Sequence, residues 1–156
     1  MPRPPFFPMM IDIAGQKVLV VGGGHIASRR AVTLMKCGAE IHAVSPAFCE
    51  EFPEVSERIT RCFVPDDVTG DFALVIAATN DRHTNSLVHI TAKTKHIPVN
   101  VADCPGECDF FFPSLIASGS AAVSVCSAGT SSRLTRRLSD RLRKVWASWV
   151  SEDNEN

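Results

Sequence analysis

"KVLVVGGGHIASRRAV", residues 17–32, passes from a run of β-branched residues through three glycines into a helix-like pattern. Gly22, Gly24 and Ala27 fit the pattern G-x-G-x-x-[G/A], in the strand-to-helix context that this pattern requires. The first glycine permits the tight turn, the second leaves room for a pyrophosphate, and the small third residue lets helix and strand approach. The first N–H groups of the helix favour phosphate binding. We predict a dinucleotide-binding turn; the alternative is a turn without a ligand.

Short apolar runs recur along the chain, with helical patterns between several of them. The runs are rich in Val and Ile on both alternations, as in parallel strands that are covered on both faces. Strands are predicted at 17–22, 39–45, 59–64, 72–79 and 97–101, and helices at 25–37 and 81–95. Prolines interrupt residues 46–58 and 65–71, so we expect a short helix there and then mostly loop. The alternation predicts an α/β, Rossmann-like fold with a doubly wound parallel sheet.

The pattern changes after Val101. Two further strands are predicted within 109–119 and 120–129, joined through Gly119, and an Arg-rich helix from Ser131 to about Trp149. This small C-terminal strand-strand-helix segment cannot form a core alone, so we expect it to pack on the sheet or on another chain. The predicted division is a dinucleotide-binding domain at 1–108, the small segment at 109–150 and a disordered tail at 151–156.

Apolar side chains of the C-terminal segment exceed what one small domain can readily cover. They therefore predict a homodimer through residues 109–145. The apolar residues concerned are Phe110, Phe111, Phe112, Leu115, Leu134 and Leu138.

Composition limits the classes of function. The chain has 156 residues, 45% of them hydrophobic, and a net charge of −1, so we expect one core and neither nucleic-acid nor membrane-surface binding. Positive charge is concentrated near the C-terminus, which gives either a solvated helix face or a site for anionic groups. The residues are Arg133, Arg136, Arg137, Arg141, Arg143 and Lys144.

The six cysteines follow no spacing typical of a secreted disulfide framework. Reduced thiols, together with the absence of a signal-peptide pattern, predict a cytoplasmic protein. A metal site is suggested by Cys104 and Cys108 and by His25 beside the glycines, but the two cysteines, separated by three residues, are accompanied by no second pair. We therefore predict no metal centre built by protein side chains.

Candidate site residues follow the carboxyl ends of the predicted strands. The second strand ends at Ser45, where neither a carboxylate nor an Arg stands to select between NAD and NADP. Thr79 and Asn80 follow the fourth strand and either face a cofactor or begin a helix, with Asn80 or Asp81 as its N-cap. Asp103 follows the fifth strand, and its position before Cys-Pro-Gly also suits a turn residue.

Four ordered motifs resemble the siroheme-synthase N-terminal family of precorrin-2 dehydrogenases, some of which are also sirohydrochlorin ferrochelatases. The four motifs are FFPMMIDIAGQKVLVVGGGHIASRRAVTLMKCGAEIHAVSP, AATNDRHTN, VNVADCPGECDFFFPSLIASG and SAGTSSRLTRRLSDRLR. The similarity covers about residues 6–145. The resemblance implies NAD-dependent oxidation of precorrin-2 to sirohydrochlorin, toward siroheme or cobalamin. It also implies a homodimer in which the segment after the fifth strand is the dimerisation region.

The resemblance also implies roles for single residues. The catalytic aspartate of the family corresponds to Asp103, and the serine phosphorylated in some relatives corresponds to Ser131, which is followed by Ser132 where those relatives commonly have proline. The implied cofactor contacts are Gly22, Gly23, Gly24, His25, Ile26, Ser45, Pro46, Ala47, Thr79 and Asn80. The alternative function is a catalytically silent dinucleotide-binding or scaffold module.

Overall fold

The computed structural model describes residues 6–118 and 121–153, with side chains as far as Val150. The strands are β1 (Lys17–Val21), β2 (Glu40–Ser45), β3 (Glu57–Thr60), β4 (Phe72–Ala77), β5 (Val99–Val101), β6 (Ser114–Ser118) and β7 (Ala121–Val125). The helices are α1 (His25–Lys36), α2 (Arg82–Thr94) and α3 (Ser132–Asp153), with short 3₁₀ turns at Pro65–Asp67 and Pro105–Glu107. None of these helices combines the length and the apolar character that a bilayer crossing needs. The chain divides into two compact units between Phe110 and Phe111.

The first unit is built on a five-stranded parallel sheet with the order β3-β2-β1-β4-β5. From β1 the chain moves outward through α1 to β2, and later from β4 through α2 to β5 in the opposite direction. Right-handed crossovers in opposite directions place α1 and α2 on opposite faces of the sheet. The predicted Rossmann-like, doubly wound fold is therefore confirmed. The strand order reverses between β1 and β4, which is where open α/β sheets bind ligands.

The core of this unit lies on both faces of the two central strands. Every residue from Val18 to Val21 is buried, and so is every residue from Leu74 to Ala77. The continuous apolar runs in the sequence reflect this two-sided burial, since each buried Val, Leu or Ile side chain contributes about 1.5–3 kcal/mol. The rigid core fixes the points at which β1, β4 and β5 end.

The structure corrects the predicted third strand, which was expected at 59–64. β3 is an edge strand that pairs with β2 from His42 opposite Glu57 to Ser45 opposite Thr60. The pairing ends at Thr60, and the next residue, Arg61, forms an ion pair with Asp67. Long-range pairing with β2 therefore decides where this strand begins and ends, and the local apolar pattern does not.

The short helix expected within residues 46–58 is also absent, because these residues form a loop before β3 begins. The loop packs through Phe52, which is buried, and the Arg58 guanidinium donates a hydrogen bond to the Pro53 carbonyl at 2.9 Å. These contacts hold the loop in place without helical hydrogen bonds.

The second unit contains the antiparallel pair β6 and β7 and the helix α3, in the predicted order. Ile116 is buried, and Arg143 of α3 donates a hydrogen bond to the Ser114 hydroxyl at 2.9 Å. The Ser131 hydroxyl accepts the Leu134 N–H at 3.1 Å and so caps α3. Gly119, predicted as the hairpin link, lies outside the described residues.

The helix α3 continues to Asp153, three residues into the tail that was expected to be disordered. Once a helix is established, each added residue gains a hydrogen bond. The helix can therefore continue beyond the last apolar residue of the pattern by which the sequence predicts it. Residues 154–156 lie outside the part of the chain that the structure describes.

Candidate functional site

A cavity of about 450 Å³ opens at the carboxyl ends of β1, β4 and β5, in the first unit. The loops that follow these strands meet here because β1, β4 and β5 are consecutive in the sheet and run in the same direction. Its lining consists of Gly24, His25, Ile26, Ala78, Thr79, Asn80, Ala102 and Asp103. Six of the residues singled out from the sequence are thus brought together, and the loops after β4 and β5 supply the two alanines.

Packing of the protein against itself explains why two of the three glycines carry no side chain. Gly22 has φ +125°, and a Cβ there would lie 2.3 Å from the Ala78 carbonyl oxygen. A Cβ on Gly23 would lie 2.0 Å from the carbonyl oxygen of Ala47. Both distances are too short for any side chain, so these two glycines let the turn pass between the ends of β2 and β4.

Gly24 has a different role, because a Cβ there would meet nothing within 4 Å. It is the N-cap residue of α1, and no side chain caps this helix. The N-terminus of an uncapped helix offers N–H donors and partial positive charge to an anion. Open space at Gly24 beside such a helix start fits the pyrophosphate of a dinucleotide, and His25 and Ile26 also line the cavity.

The last residue of β2, Ser45, and the two residues that follow it lie beside the glycine turn and do not line the cavity. Ser45 is buried, and its hydroxyl donates a hydrogen bond to the Ala47 carbonyl at 2.7 Å. Pro46 and Ala47 are exposed. The Ser45 hydroxyl thus holds this loop against Gly23 in the structure, and a ribose contact by residues 45–47 stays a prediction.

Asn85 of α2 fixes the backbone that places Thr79 in the cavity wall. Its side chain accepts the Thr79 N–H at 3.0 Å and donates to the Thr79 carbonyl at 3.1 Å, and Asn85 is fully buried. The Thr79 hydroxyl also lies 2.8 Å from the Asn85 amide oxygen. Sequence reasoning missed Asn85; an Asn at an inward position of an amphipathic helix was the available signal.

Substitution of Asn85 by Ala is expected to lower the free energy of unfolding by about 1–3 kcal/mol. The reason is that the N–H and C=O groups of Thr79 then lose their partners in a buried position. Urea unfolding measures this change. Asn80→Ala is the control, since Asn80 is exposed and its loss should change stability by no more than about 0.5 kcal/mol. Equal effects of the two substitutions would contradict the assignment.

Asp81, and not Asn80, caps the following helix. The Asp81 carboxylate accepts the Thr84 N–H at 2.8 Å and the His83 N–H at 3.3 Å. Hydrogen bonds from the Thr84 side chain and backbone lower the pKa of Asp81 below its usual range. This cap leaves the exposed Asn80 at the cavity wall.

Asp103 reaches the cavity from the loop after β5, and an arginine holds it. Arg82, the first residue of α2, donates from Nη1 to Asp103 Oδ1 at 2.9 Å and from Nη2 to Glu107 at 2.5 Å. The Glu107 hydrogen bond and the Asp103 charge raise the pKa of Arg82. Among the described residues, Asp103 Oδ2 has no hydrogen-bond partner, and no backbone N–H of the turn donates to this side chain. Sequence reasoning missed Arg82 and Glu107.

Cys108 acts as an internal hydrogen-bonding group beneath the loop that carries Asp103. Its sulfur lies 3.2 Å from both the N–H nitrogen and the carbonyl oxygen of Val101. Burial raises the pKa of the Cys108 thiol. The neutral thiol therefore ties residue 108 to the end of β5, a structural role that the spacing of Cys104 and Cys108 did not indicate.

Comparisons with known proteins agree with this geometry. A family model described as "Putative NAD(P)-binding" matches residues 9–114. The siroheme synthase of Nitrosomonas eutropha is 41% identical over 146 residues, which cover 90% of this chain and 30% of the relative. The siroheme synthase of Nitrosomonas europaea shows the same identity and coverage. The chain belongs to the siroheme synthase N-terminal domain family.

The likeness to this family extends to a solved structure, titled "SirC, precorrin-2 dehydrogenase". That structure matches with a TM-score of 0.72 and 27% sequence identity, over 89% of this chain and 70% of the other. The chain therefore has a fold that binds a nicotinamide dinucleotide. It spans 30% of the length of the two curated siroheme synthases.

Proposed function

We propose that this chain is an NAD-dependent precorrin-2 dehydrogenase, which oxidises precorrin-2 to sirohydrochlorin in siroheme biosynthesis. The observation that carries the proposal is the cavity in which Gly24, Thr79 and Asp103 meet. It combines a place for a pyrophosphate with a carboxylate held at the same sheet edge. The family and the likeness to the precorrin-2 dehydrogenase structure support the choice of a tetrapyrrole substrate.

The residues of the cavity divide the binding of the cofactor between them. The open space at Gly24 and the first N–H groups of α1 would hold the pyrophosphate. Thr79 and Asn80 would flank the nicotinamide, which, when bound, supplies the acceptor for a hydride. The buried Asn85 keeps Thr79 in position, so this wall of the cavity does not need to reorganise.

Asp103 is proposed to remove the proton that leaves with the hydride. Oxidation of precorrin-2 transfers two electrons and one hydrogen to NAD⁺ and releases one proton, giving sirohydrochlorin, NADH and H⁺. Arg82 orients the carboxylate through Oδ1, while Oδ2 has no hydrogen bond to the described residues and is open to substrate. A carboxylate within hydrogen-bond reach of the departing proton acts as a general base.

We propose NAD rather than NADP as the cofactor. The 2′-phosphate of NADP is commonly bound by an Arg near the end of the second strand. Here Ser45, Pro46 and Ala47 carry no positive charge, and the nearby Arg58 is engaged with the carbonyls of Phe52 and Pro53. A cytoplasmic location is proposed as well, because the cysteines of the described residues are all free.

The test is an anaerobic reaction of the purified chain with precorrin-2 and NAD⁺. We expect NADH and the absorption spectrum of sirohydrochlorin to appear together, with slower turnover when NADP⁺ replaces NAD⁺. Dinucleotide binding without turnover would instead support a catalytically silent module. Iron insertion is assayed separately with ready-made sirohydrochlorin and ferrous iron as substrates, which isolates any ferrochelatase activity from the dehydrogenase.

We further propose that the second unit forms a homodimer. Leu134 and Leu138 lie one turn apart on α3, each 39% exposed, and Leu115 of β6 is 37% exposed. Light scattering at micromolar concentration should give a dimeric mass for the unchanged chain and a monomeric mass after Leu134→Asp with Leu138→Asp, since a charge in an apolar contact is costly. Ile90→Asp on α2, also exposed, is the control and should stay dimeric. A monomeric unchanged chain would exclude the proposal.

A further inference from the structure

Three side chains of different chemistry meet beside the glycine turn. The ligand atoms of His25, Cys49 and Glu51 all lie within 4.8 Å of one another, and His25 Nδ1 is 3.6 Å from a Glu51 carboxylate oxygen. We propose that these three residues bind a divalent transition-metal ion of the zinc class. The proposal revises the sequence-based expectation that the chain builds no metal centre, and it does not depend on the proposed dehydrogenase activity.

Hydrogen bonds to backbone carbonyls hold the three residues near one another. The Cys49 N–H donates to the Gly23 carbonyl at 2.8 Å, and the Ser28 hydroxyl of α1 donates to the Glu51 carbonyl at 2.9 Å. The loop between them is anchored by Phe52, which is buried and donates its N–H to the Cys49 carbonyl. The loop is therefore fastened to both the glycine turn and α1, and His25 is the first residue of that helix.

The side chains retain the freedom that binding needs. Those of His25 and Glu51 are 80% and 69% exposed, so each can rotate without disturbing the core. Zinc bonds of about 2.0–2.3 Å require ligand atoms that are closer together than the widest present separation. Small rotations of exposed side chains bring them together, while the anchored backbone keeps the loss of entropy low.

The set of donor atoms selects the class of ion. Imidazole nitrogen, thiolate sulfur and carboxylate oxygen together suit Zn²⁺ and similar first-row ions, whereas Ca²⁺ and Mg²⁺ prefer oxygen ligands alone. Three protein ligands leave the fourth tetrahedral position to water or to an exchangeable ligand, as in open zinc sites. Because His25 also lines the cavity, the ion would lie at its edge. The site could not be predicted from the sequence because His25 is distant along the chain from Cys49 and Glu51.

Cobalt titration of the reduced, tag-free full chain tests the site, with no nucleotide or tetrapyrrole present. Co²⁺ bound to a thiolate gives a sulfur-to-metal charge-transfer band, so we expect this band to rise to one equivalent and to disappear when Zn²⁺ is added. Cys49→Ser should abolish the band. Cys62→Ser removes an exposed thiol outside the site and should leave the band intact. Circular dichroism confirms that each variant is folded.

Two further variants test the other ligands at exposed positions where folding is not at risk. His25→Asn and Glu51→Gln should each weaken Co²⁺ binding at least about tenfold, since even partners that only hydrogen-bond to ligands change metal affinity by roughly 10- to 100-fold. The proposal is overturned if the unchanged chain shows no charge-transfer band, if the band survives in Cys49→Ser, or if neither ligand variant changes the affinity. Because nucleotide is absent, none of these outcomes bears on the dehydrogenase proposal.

Discussion

Replacement of Gly24 by Asp is expected to weaken NAD⁺ binding by at least about 100-fold while the chain stays folded. A Cβ at this position meets no protein atom within 4 Å, so the substitution introduces no clash. Its carboxylate would enter the space that we assign to the pyrophosphate, and opposed like charges cost several kcal/mol, with each 1.4 kcal/mol equal to tenfold in affinity. Isothermal titration with NAD⁺ measures the loss, and circular dichroism measures the fold.

Gly70→Asp provides a matched control for this experiment. Gly70 also has no atom within 4 Å of an added Cβ. It lies just before β4, at the amino end of this strand, whereas the cavity lies at the carboxyl end. The same new carboxylate there should leave NAD⁺ affinity unchanged. Unaltered affinity in a folded Gly24→Asp variant would exclude the glycine turn as the phosphate site.

Asp103→Asn is expected to reduce turnover by roughly 10²- to 10⁴-fold, the usual range for loss of an acid-base group. The amide cannot take up the proton, but it has nearly the same shape and its oxygen can still accept the Arg82 hydrogen bond. NAD⁺ affinity and stability should therefore remain close to those of the unchanged chain. Initial rates at saturating precorrin-2 and NAD⁺ measure the effect on the chemical step.

Asp71→Asn separates a general effect of losing an ion pair from an effect on chemistry. Asp71 pairs with Lys17 at 2.7 Å, at the amino ends of β4 and β1, whereas the cavity lies at the carboxyl ends of these strands. This control should turn over at nearly the unchanged rate. If Asp103→Asn does so as well, Asp103 has only a structural role, since Asn suits the same turns as Asp.

The central part of the fold could be predicted from sequence because its determinants are local. β1 and β4 are buried on both faces, and the glycine turn is followed at once by α1, so composition and order along the chain carry the information. β3 could not be placed, because its ends depend on pairing with β2 across a long loop. The extent of α3 was missed for another reason: helix propagation needs no apolar marker.

The site was predictable only in part, for a related reason. The ends of the strands can be predicted from the sequence, so Gly24, Thr79 and Asp103 could be assigned to the carboxyl ends of neighbouring strands. In the structure all three line one cavity. The partners of these residues come from elsewhere in the chain. Arg82 reaches Asp103 across 21 positions, and Asn85 reaches Thr79 from the inner face of α2. Such contacts depend on how helix and sheet pack, which a motif does not record.

Hydride transfer to NAD⁺ is the central claim, and isotope transfer tests it most directly. Precorrin-2 carrying deuterium at the carbon that is oxidised would be incubated anaerobically with the chain and NAD⁺, and the NADH and sirohydrochlorin analysed by mass spectrometry. The account predicts deuterated NADH in an amount equal to the sirohydrochlorin formed. Sirohydrochlorin accompanied by unlabelled NADH, or formed at the same rate without NAD⁺, would contradict it.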